Sequence, residues 1–526
     1  MSRRIFKNLI NLASGTFVSR IFGFMRELVT AAFYGTNRSM DLFVIAFTIP
    51  AFFRQVLGED VVERAFMPPF KKLISQKKYR HGWQLLSSCL NFMILAILIL
   101  MVILYLIAPL IVKIIAPGLA EDLLPQAVVM TYWILPFMFI IGMAAFVGGI
   151  LNFFEMNKVY SLAPAMLSVG VIFGVLFLRS YLGIYALPAG FLIGAFFELA
   201  VQVPFVFNRK IRVETQARYY AHIKIKDKEL KKVGRESGFI FLKSLLDKSV
   251  EIVDRMLASF LIPGSIASLW FAHRLILLPV AIIGLAISRS LIPYLTEKKA
   301  LVENDEFLAG IKLGIKLNFT LVLPIIMIMV VMARPIINIV YQRGAFDAES
   351  TNLTALAFWC YSVGLLGLSL NAFLSRVFSI FQKNKIPFYV AIFSSALNIL
   401  LNFILVKTPL KHGGIALASS IAFTLSCLFL FYFLWKEINF QIKIKTIIGD
   451  FINVGSICLI VGVIAHYFYQ LVLRDCLAQI AVSEFFQNLL AVAIVIIMAL
   501  MLYIALLMIF GPAEIKDRVK KIMPGF

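Results

Sequence analysis

Four arginines stand where charge is costly. Arg20, Arg26, Arg54 and Arg274 lie within largely apolar stretches, and an ionised group there is tolerated only if it faces water or a partner. The guanidinium keeps its charge on burial and presents a planar fork of donors that matches phosphate oxygens. Arginines gathered in such a setting therefore point to an anion, and a diphosphate suits several of them. Arg54 and Arg274 have no carboxylate one helical turn away in sequence; pairing with Asp41 or Glu59 across helices is the structural alternative. On the first helix Ser19, Gly23, Arg26 and Thr30 recur at i, i+4, i+7 and i+11, while Arg20 and Glu27 are seven apart on an adjoining strip. Both strips can border one lumen.

A second charged constellation is KSLLDKSVEIVDR, Lys243 to Arg255. Lys243, Asp247, Glu251 and Arg255 are successive i,i+4 neighbours and form one stripe, with Asp254 beside it. Such a stripe is either a self-neutralised seam between helices or the wall of a cavity or cation site.

Bond-making chemistry finds no support. The five histidines are scattered, and the chain has no phosphate loop, nucleophile elbow or HExxH, so an enzyme is not expected. His273, beside Arg274, reads more readily as a helix-interface residue than as a proton relay. Without an ATP site, energy must come from an ion gradient, the membrane potential or substrate mass action.

The elements that carry these residues follow from composition. Of 526 residues, 61% are hydrophobic and 15% charged, with a mean hydropathy of +0.92; soluble domains run near about 45–50% and 25%. The net charge of +22 resides mostly in short loops, which argues for membrane topology and against nucleic acid. Cys89, Cys360, Cys427 and Cys458 lie in apolar runs and form no CxxC pair, which points to neither disulfides nor a metal centre.

Apolar blocks predict an all-α polytopic membrane protein with fourteen spans: 8–34, 40–70, 85–114, 126–154, 159–178, 184–208, 237–262, 266–295, 313–341, 351–382, 387–406, 413–435, 447–470 and 485–511. About 20 residues suffice to cross the bilayer, so the longest spans must tilt or kink. One set of alternate loops holds most of the lysines and arginines, whereas the intervening set holds only Arg38, Arg179, Arg343, Lys407, Lys411 and Arg474. The positive-inside rule then places both termini in the cytoplasm. The expected organisation is an N-lobe at 1–208, a basic cytoplasmic loop at 209–236, a C-lobe at 237–437, and two final helices with the tail at 438–526.

Several stretches carry a family resemblance. SRIFGFMRELVTAAFYG, DLFVIAFTIPAFFRQVLGE and RAFMPPF near the start, then LNFFEMNKVYSLAPAML, ASFLIPGSIASLWFAHRLILLP, YQRGAFD and SRVFSIFQKNKIP, resemble the MurJ/MviN family. Its members are lipid II flippases of the multidrug/oligosaccharidyl-lipid/polysaccharide exporter superfamily. The resemblance implies two six-helix lobes around a central cavity, with two C-terminal helices lining a groove for the polyprenyl tail. It implies lipid II (undecaprenyl-pyrophosphoryl-disaccharide-pentapeptide) as the substrate, moved from the cytoplasmic to the outer leaflet of the bacterial inner membrane by alternating access. Membrane lipids, and proteins of cell-wall synthesis or division, would be its other partners.

The resemblance nominates Arg20, Arg26, Arg54 and Arg274 for the diphosphate, and Ser19, Gly23, Glu27, Asp41 and Glu59 for the cavity and its gating. It also implies a sodium site of Asp254, Asn398, Asn402 and Ser419. Departures from the pattern are Glu27 for the usual Asp, Gln55, Asp60, His273 at an acidic position, Leu277, and Asn402 in place of a carboxylate. Rival functions are a flippase for another polyprenyl-diphosphate-linked oligosaccharide, a drug/cation antiporter, a non-transporting division scaffold and an anion channel. An antiporter would want a carboxylate-rich, arginine-poor cavity.

Overall fold

The computed structural model describes residues 3–208, 218–221, 227–280, 284–439, 441–472 and 484–512. Most of the basic loop between 209 and 226, Arg474 and the basic tail from Lys516 lie outside the described residues, as do the side chains of Glu59, Asp60, Asp247 and Arg289. Every described regular element is a helix; no strand occurs among the described residues. Buried backbone groups in a bilayer must be satisfied within the segment, and the helix achieves this at every residue.

Two compact units divide the chain. The first comprises Met1–Ala267 and Arg343–Phe346, the second Ser268–Gln342 and Asp347–Phe526. The first contains α1 (Arg3–Tyr34), α2 (Arg38–Phe53), α3 (Met67–Ser75), α4 (Tyr79–Ile115), α5 (Leu124–Phe153), α6 (Asn157–Phe173), the short α7 (Arg179–Leu182), α8 (Ala186–Val206) and α9 (Lys228–Ala258). Asn37 starts α2 by accepting the Met40 N–H at 3.0 Å, the usual role of asparagine at an N-cap. Between α2 and α3 the helix widens to π geometry over Arg54–Phe66, one turn after Pro50, whose ring lacks the N–H that a regular ladder needs.

α6 and α8 meet backbone to backbone. Gly170 and Gly174 face Gly194 and Gly190, and a Cβ on Gly170 would lie 2.2 Å from the Gly194 Cα. The paired small-xxx-small spacing lets two membrane helices approach without side chains between them. This contact fixes the face that α8 turns toward α1, α5 and α6.

The second unit holds α10 (Ser265–Pro279, whose first three residues belong to the first unit), α11 (Leu285–Ala300), α12 (Asn304–Val331), α13 (Ala333–Tyr341), α14 (Ala348–Val363), α15 (Leu365–Ile380), α16 (Lys385–Leu405), α17 (His412–Glu437), α18 (Ile444–Leu471) and α19 (Glu484–Phe510). Phe307, Ile311, Phe373, Phe378 and Leu430 centre one core cluster. A second joins Met327 and Met332 to Val461, Val495 and Ala499 of the last two helices. Tyr503 Oη donates to the Thr320 carbonyl at 2.7 Å, and Lys316 Nζ lies 2.8 Å from Asp450 Oδ2, so α18 and α19 are held on α12 by polar as well as apolar contacts.

Among the described residues nine helices are long and apolar enough to cross a membrane, or ten if α14 and α15, bent by 44°, form one span. The gap from the fourteen expected has a physical source. Asn157–Val206 forms one continuous helical run in which α6 and α8, expected as two spans, fold back against each other. α1 and α9 carry charges that keep them below the hydropathy of a lipid-facing helix, and α10 is an apolar helix too short to count as a span.

Candidate functional site: a charged cavity in the first unit

α1, the π-helical stretch, α5, α6 and α8 enclose a cavity of about 420 Å³. Arg20 and Ser19 reach it from α1, Arg54 and Glu63 from the π-helical stretch, and Glu198 and Gln202 from α8. Two of the four nominated arginines are thus brought to one space. α5 contributes Ala144, Ala145, Gly148 and Gly149, small residues that leave the volume open. Tyr160 Oη donates to Glu63 Oε1 at 2.7 Å and holds that carboxylate at the wall.

Arg26 is placed differently. Its Nη2 lies 2.7 Å from Glu27 Oε1, and its guanidinium sits 5.6 Å from the Phe191 ring centroid, a cation–π distance. Glu27 is buried, so the Glu for Asp departure still supplies a carboxylate to this arginine. Gly23, one turn away, borders open space: a Cβ there would meet nothing within 4 Å. Arg274 belongs to the second unit, stacked 4.2 Å from the Trp270 ring centroid, and neighbouring His273 lies 5.5 Å from the Tyr361 ring. Glu59 lies outside the described side chains.

Asp41 is not in the cavity. It is buried at the start of α2, where Oδ2 accepts the Gly264 N–H at 2.6 Å and Oδ1 accepts the Ala267 N–H at 2.7 Å. Those groups open α10, so Asp41 caps that helix from across the chain; a carboxylate there satisfies orphan donors and the positive end of the helix dipole together. Gly264 has φ +86°, and a Cβ on it would fall 1.9 Å from the Thr36 carbonyl oxygen. The α1–α2 corner is gripped a second time by Arg343–Phe346: the Ala345 N–H donates to the Ala32 carbonyl at 2.7 Å.

The charged stripe of α9 is a hydrogen-bonded chain within the first unit. Lys248 Nζ lies 2.6 Å from Glu251 Oε2, Arg255 Nη2 lies 2.5 Å from Glu251 Oε1, and Arg255 Nη1 donates to Thr48. At these residues the stripe is a seam between α9 and α2.

The residues expected to hold sodium divide between the units. Asp254 lies in the first, whereas Asn398, Asn402 and Ser419 meet in the second. There Asn402 Nδ2 donates to Asn398 Oδ1 at 2.8 Å and Asn398 Nδ2 donates to Ser419 Oγ at 3.0 Å. These three buried side chains form a neutral ladder in which two oxygens, Asn398 Oδ1 and Ser419 Oγ, accept amide protons. Among themselves the three supply no carboxylate, whereas a hard cation takes several converging oxygens and usually a carboxylate. No group of three or more His, Cys, Asp or Glu able to hold a metal occurs among the described residues.

Sequence reasoning overlooked Glu198 and Gln202. Both are buried within FFELAVQVPF, and a lone carboxylate in so apolar a run carries the same cost signal that singled out the arginines.

Comparison with known proteins adds the family. The profile described as "Lipid II flippase MurJ" matches residues 30–486. A probable lipid II flippase MurJ of Buchnera aphidicola (Schizaphis graminum) is 27% identical over 513 residues, 96% of this chain and 97% of its own. The lipid II flippase MurJ of Burkholderia cenocepacia is 26% identical, covering 83% and 85%. A solved lipid II flippase MurJ in an inward closed conformation superposes with TM-score 0.78 at 24% identity, covering 95% of this chain and 98% of that one. An inward-facing multidrug MATE transporter gives TM-score 0.65 at 14% identity, over 82% and 98%.

Proposed function

The chain belongs to the lipid II flippase MurJ family, and from that premise we propose that it moves lipid II from the inner to the outer leaflet of the bacterial inner membrane, its arginines binding the diphosphate. The observation that carries the reading is the meeting of Arg20 and Arg54 in one cavity of the first unit. Two guanidinium groups supply enough donors to replace water around a diphosphate; Arg26 and Arg274 are proposed as headgroup-binding arginines from the family resemblance alone. The polyprenyl tail stays in lipid, so only the headgroup needs a polar path. Alternating exposure of the cavity to the two faces completes the transfer, with both termini in the cytoplasm.

Energetics favour outward movement. An anion leaving a negative-inside compartment gains about 2.3 kcal/mol per charge per 100 mV, so the membrane potential can drive or reset the cycle without a bound cation.

The test is a leaflet-accessibility assay with fluorescent lipid II in proteoliposomes, alongside rescue of a strain depleted of its own flippase. The wild-type chain exposes the lipid and rescues growth; Arg54→Ala and Arg274→Ala remain in the membrane and do neither. Rescue by both variants, or no movement of lipid II by the wild type, refutes the assignment.

A further inference from the structure

The cavity holds more than an anion requires. Beside Arg20 and Arg54 it presents acceptors: Glu63, Glu198 and the side-chain amide of Gln202. Gln202 is 2% exposed, and its Oε1 has no hydrogen-bond partner among the described residues. A buried acceptor without a donor costs free energy, so such an atom marks a position that a ligand donor can fill. Gly148 leaves the approach open; a Cβ there would stand 3.3 Å from that oxygen.

Three ligand classes compete for this end of the cavity, and charge separates them. A cation meets two guanidinium groups as well as the two carboxylates in the same small space, so charge gives it no net advantage. A second anion is repelled by the carboxylates of Glu63 and Glu198 and finds no donor in the Gln202 oxygen. A neutral group rich in O–H and N–H donors meets neither objection, and a volume of about 420 Å³ falls within the usual range of small-molecule sites. We infer that Gln202 and Glu198 form a glycan subsite, accepting hydrogen bonds from the hydroxyl and amide groups of the sugar attached to a diphosphate held by Arg20 and Arg54. The inference rests on the flippase reading and deepens it: the cavity selects glycosylated carriers over the bare lipid diphosphate that remains after the sugar is consumed.

The packing supports a rigid reader. Gln202 and Glu198 are one turn apart on α8, which the glycine contact with α6 fixes in place. Tyr160 sets Glu63 opposite. The acceptors are therefore held at one side of the arginines rather than on a loop.

The experiment measures equilibrium binding of two probes to the purified full-length protein: undecaprenyl diphosphate, and undecaprenyl diphosphate carrying one N-acetylated amino sugar. Wild type binds the glycosylated probe at least about fivefold more tightly, the worth of one to two hydrogen bonds. In Gln202→Leu, and in Gly148→Ala, which fills the approach without removing a polar atom, the ratio falls to about one. A ratio that stays at the wild-type value in both variants overturns the glycan subsite and leaves the flippase reading standing. Failure of wild type to bind either probe overturns both.

Discussion

Asp41 and Gly264 are 223 residues apart in sequence and joined by a 2.6 Å hydrogen bond from the Gly264 N–H to the Asp41 carboxylate. The second oxygen serves Ala267, so the carboxylate needs both its oxygens. Asp41→Asn keeps one acceptor and turns an NH₂ toward a backbone N–H; Asp41→Ala leaves two buried donors unmet. Each lost partner costs about 1–3 kcal/mol. We expect Asp41→Ala to lower the thermal midpoint of the purified protein and to abolish rescue, with Asp41→Asn intermediate. Gly264→Ala, whose Cβ would strike the Thr36 carbonyl, should reproduce the Asp41→Ala loss although it removes no hydrogen-bonding group. Melting curves and growth rescue check the series.

Arg20 and Arg54 share a cavity, whereas Arg26 is committed to Glu27. Substitution by lysine should therefore separate them. Lys keeps charge but loses the bidentate fork, so Arg54→Lys is expected to retain about a tenth of wild-type lipid II transport and Arg54→Ala none measurable. For Arg26, Glu27→Gln should weaken the held geometry and reduce transport less than Arg26→Ala does. Initial rates in proteoliposomes at matched protein content decide.

How much of this was legible in the sequence differs by residue. The cost of intramembrane charge identified Arg20 and Arg54 without a structure, and hydropathy located the apolar helices. Asp41 could be nominated only by resemblance, because its partners are backbone N–H groups distant in sequence and backbone donors carry no signature. Glu198 and Gln202 were legible in principle from a lone acid in FFELAVQVPF, but their meeting with Arg20 depends on the glycine contact between α6 and α8. Asn398 and Asn402 were nominated only by resemblance; their mutual hydrogen bond follows from i,i+4 spacing on α16 and from an amide standing at 402 in place of a carboxylate. The count of fourteen rests on reading charged stretches such as α1 and α9 as spans, whereas among the described residues composition and length alone mark nine or ten.

Lys316 is 3% exposed and paired with Asp450 at 2.8 Å, linking α12 to α18. A buried pair adds little net stability over an apolar replacement, yet breaking it leaves one charge stranded. Lys316→Met alone should destabilise the protein by about 3–5 kcal/mol, read as loss of the folded detergent-solubilised protein on heating. The double variant Lys316→Met, Asp450→Leu should recover most of that loss. Additive losses in the double variant would show that the two side chains act separately.

Sodium dependence tests the neutral ladder of Asn398, Asn402 and Ser419. With amide protons already on two of its oxygens and no carboxylate among the three, this cluster offers little to a hard cation. Replacing sodium by potassium at constant ionic strength and clamped potential should leave lipid II transport unchanged within about twofold. Asn402→Asp replaces an amide donor by a charged oxygen, releases Asn398 Oδ1, and should make transport sodium-dependent. A strong sodium requirement in the wild type would mean that the amides rearrange to admit the ion, and Asn402→Asp would then tighten sodium binding rather than create it; titrating sodium against rate in both proteins separates the two outcomes.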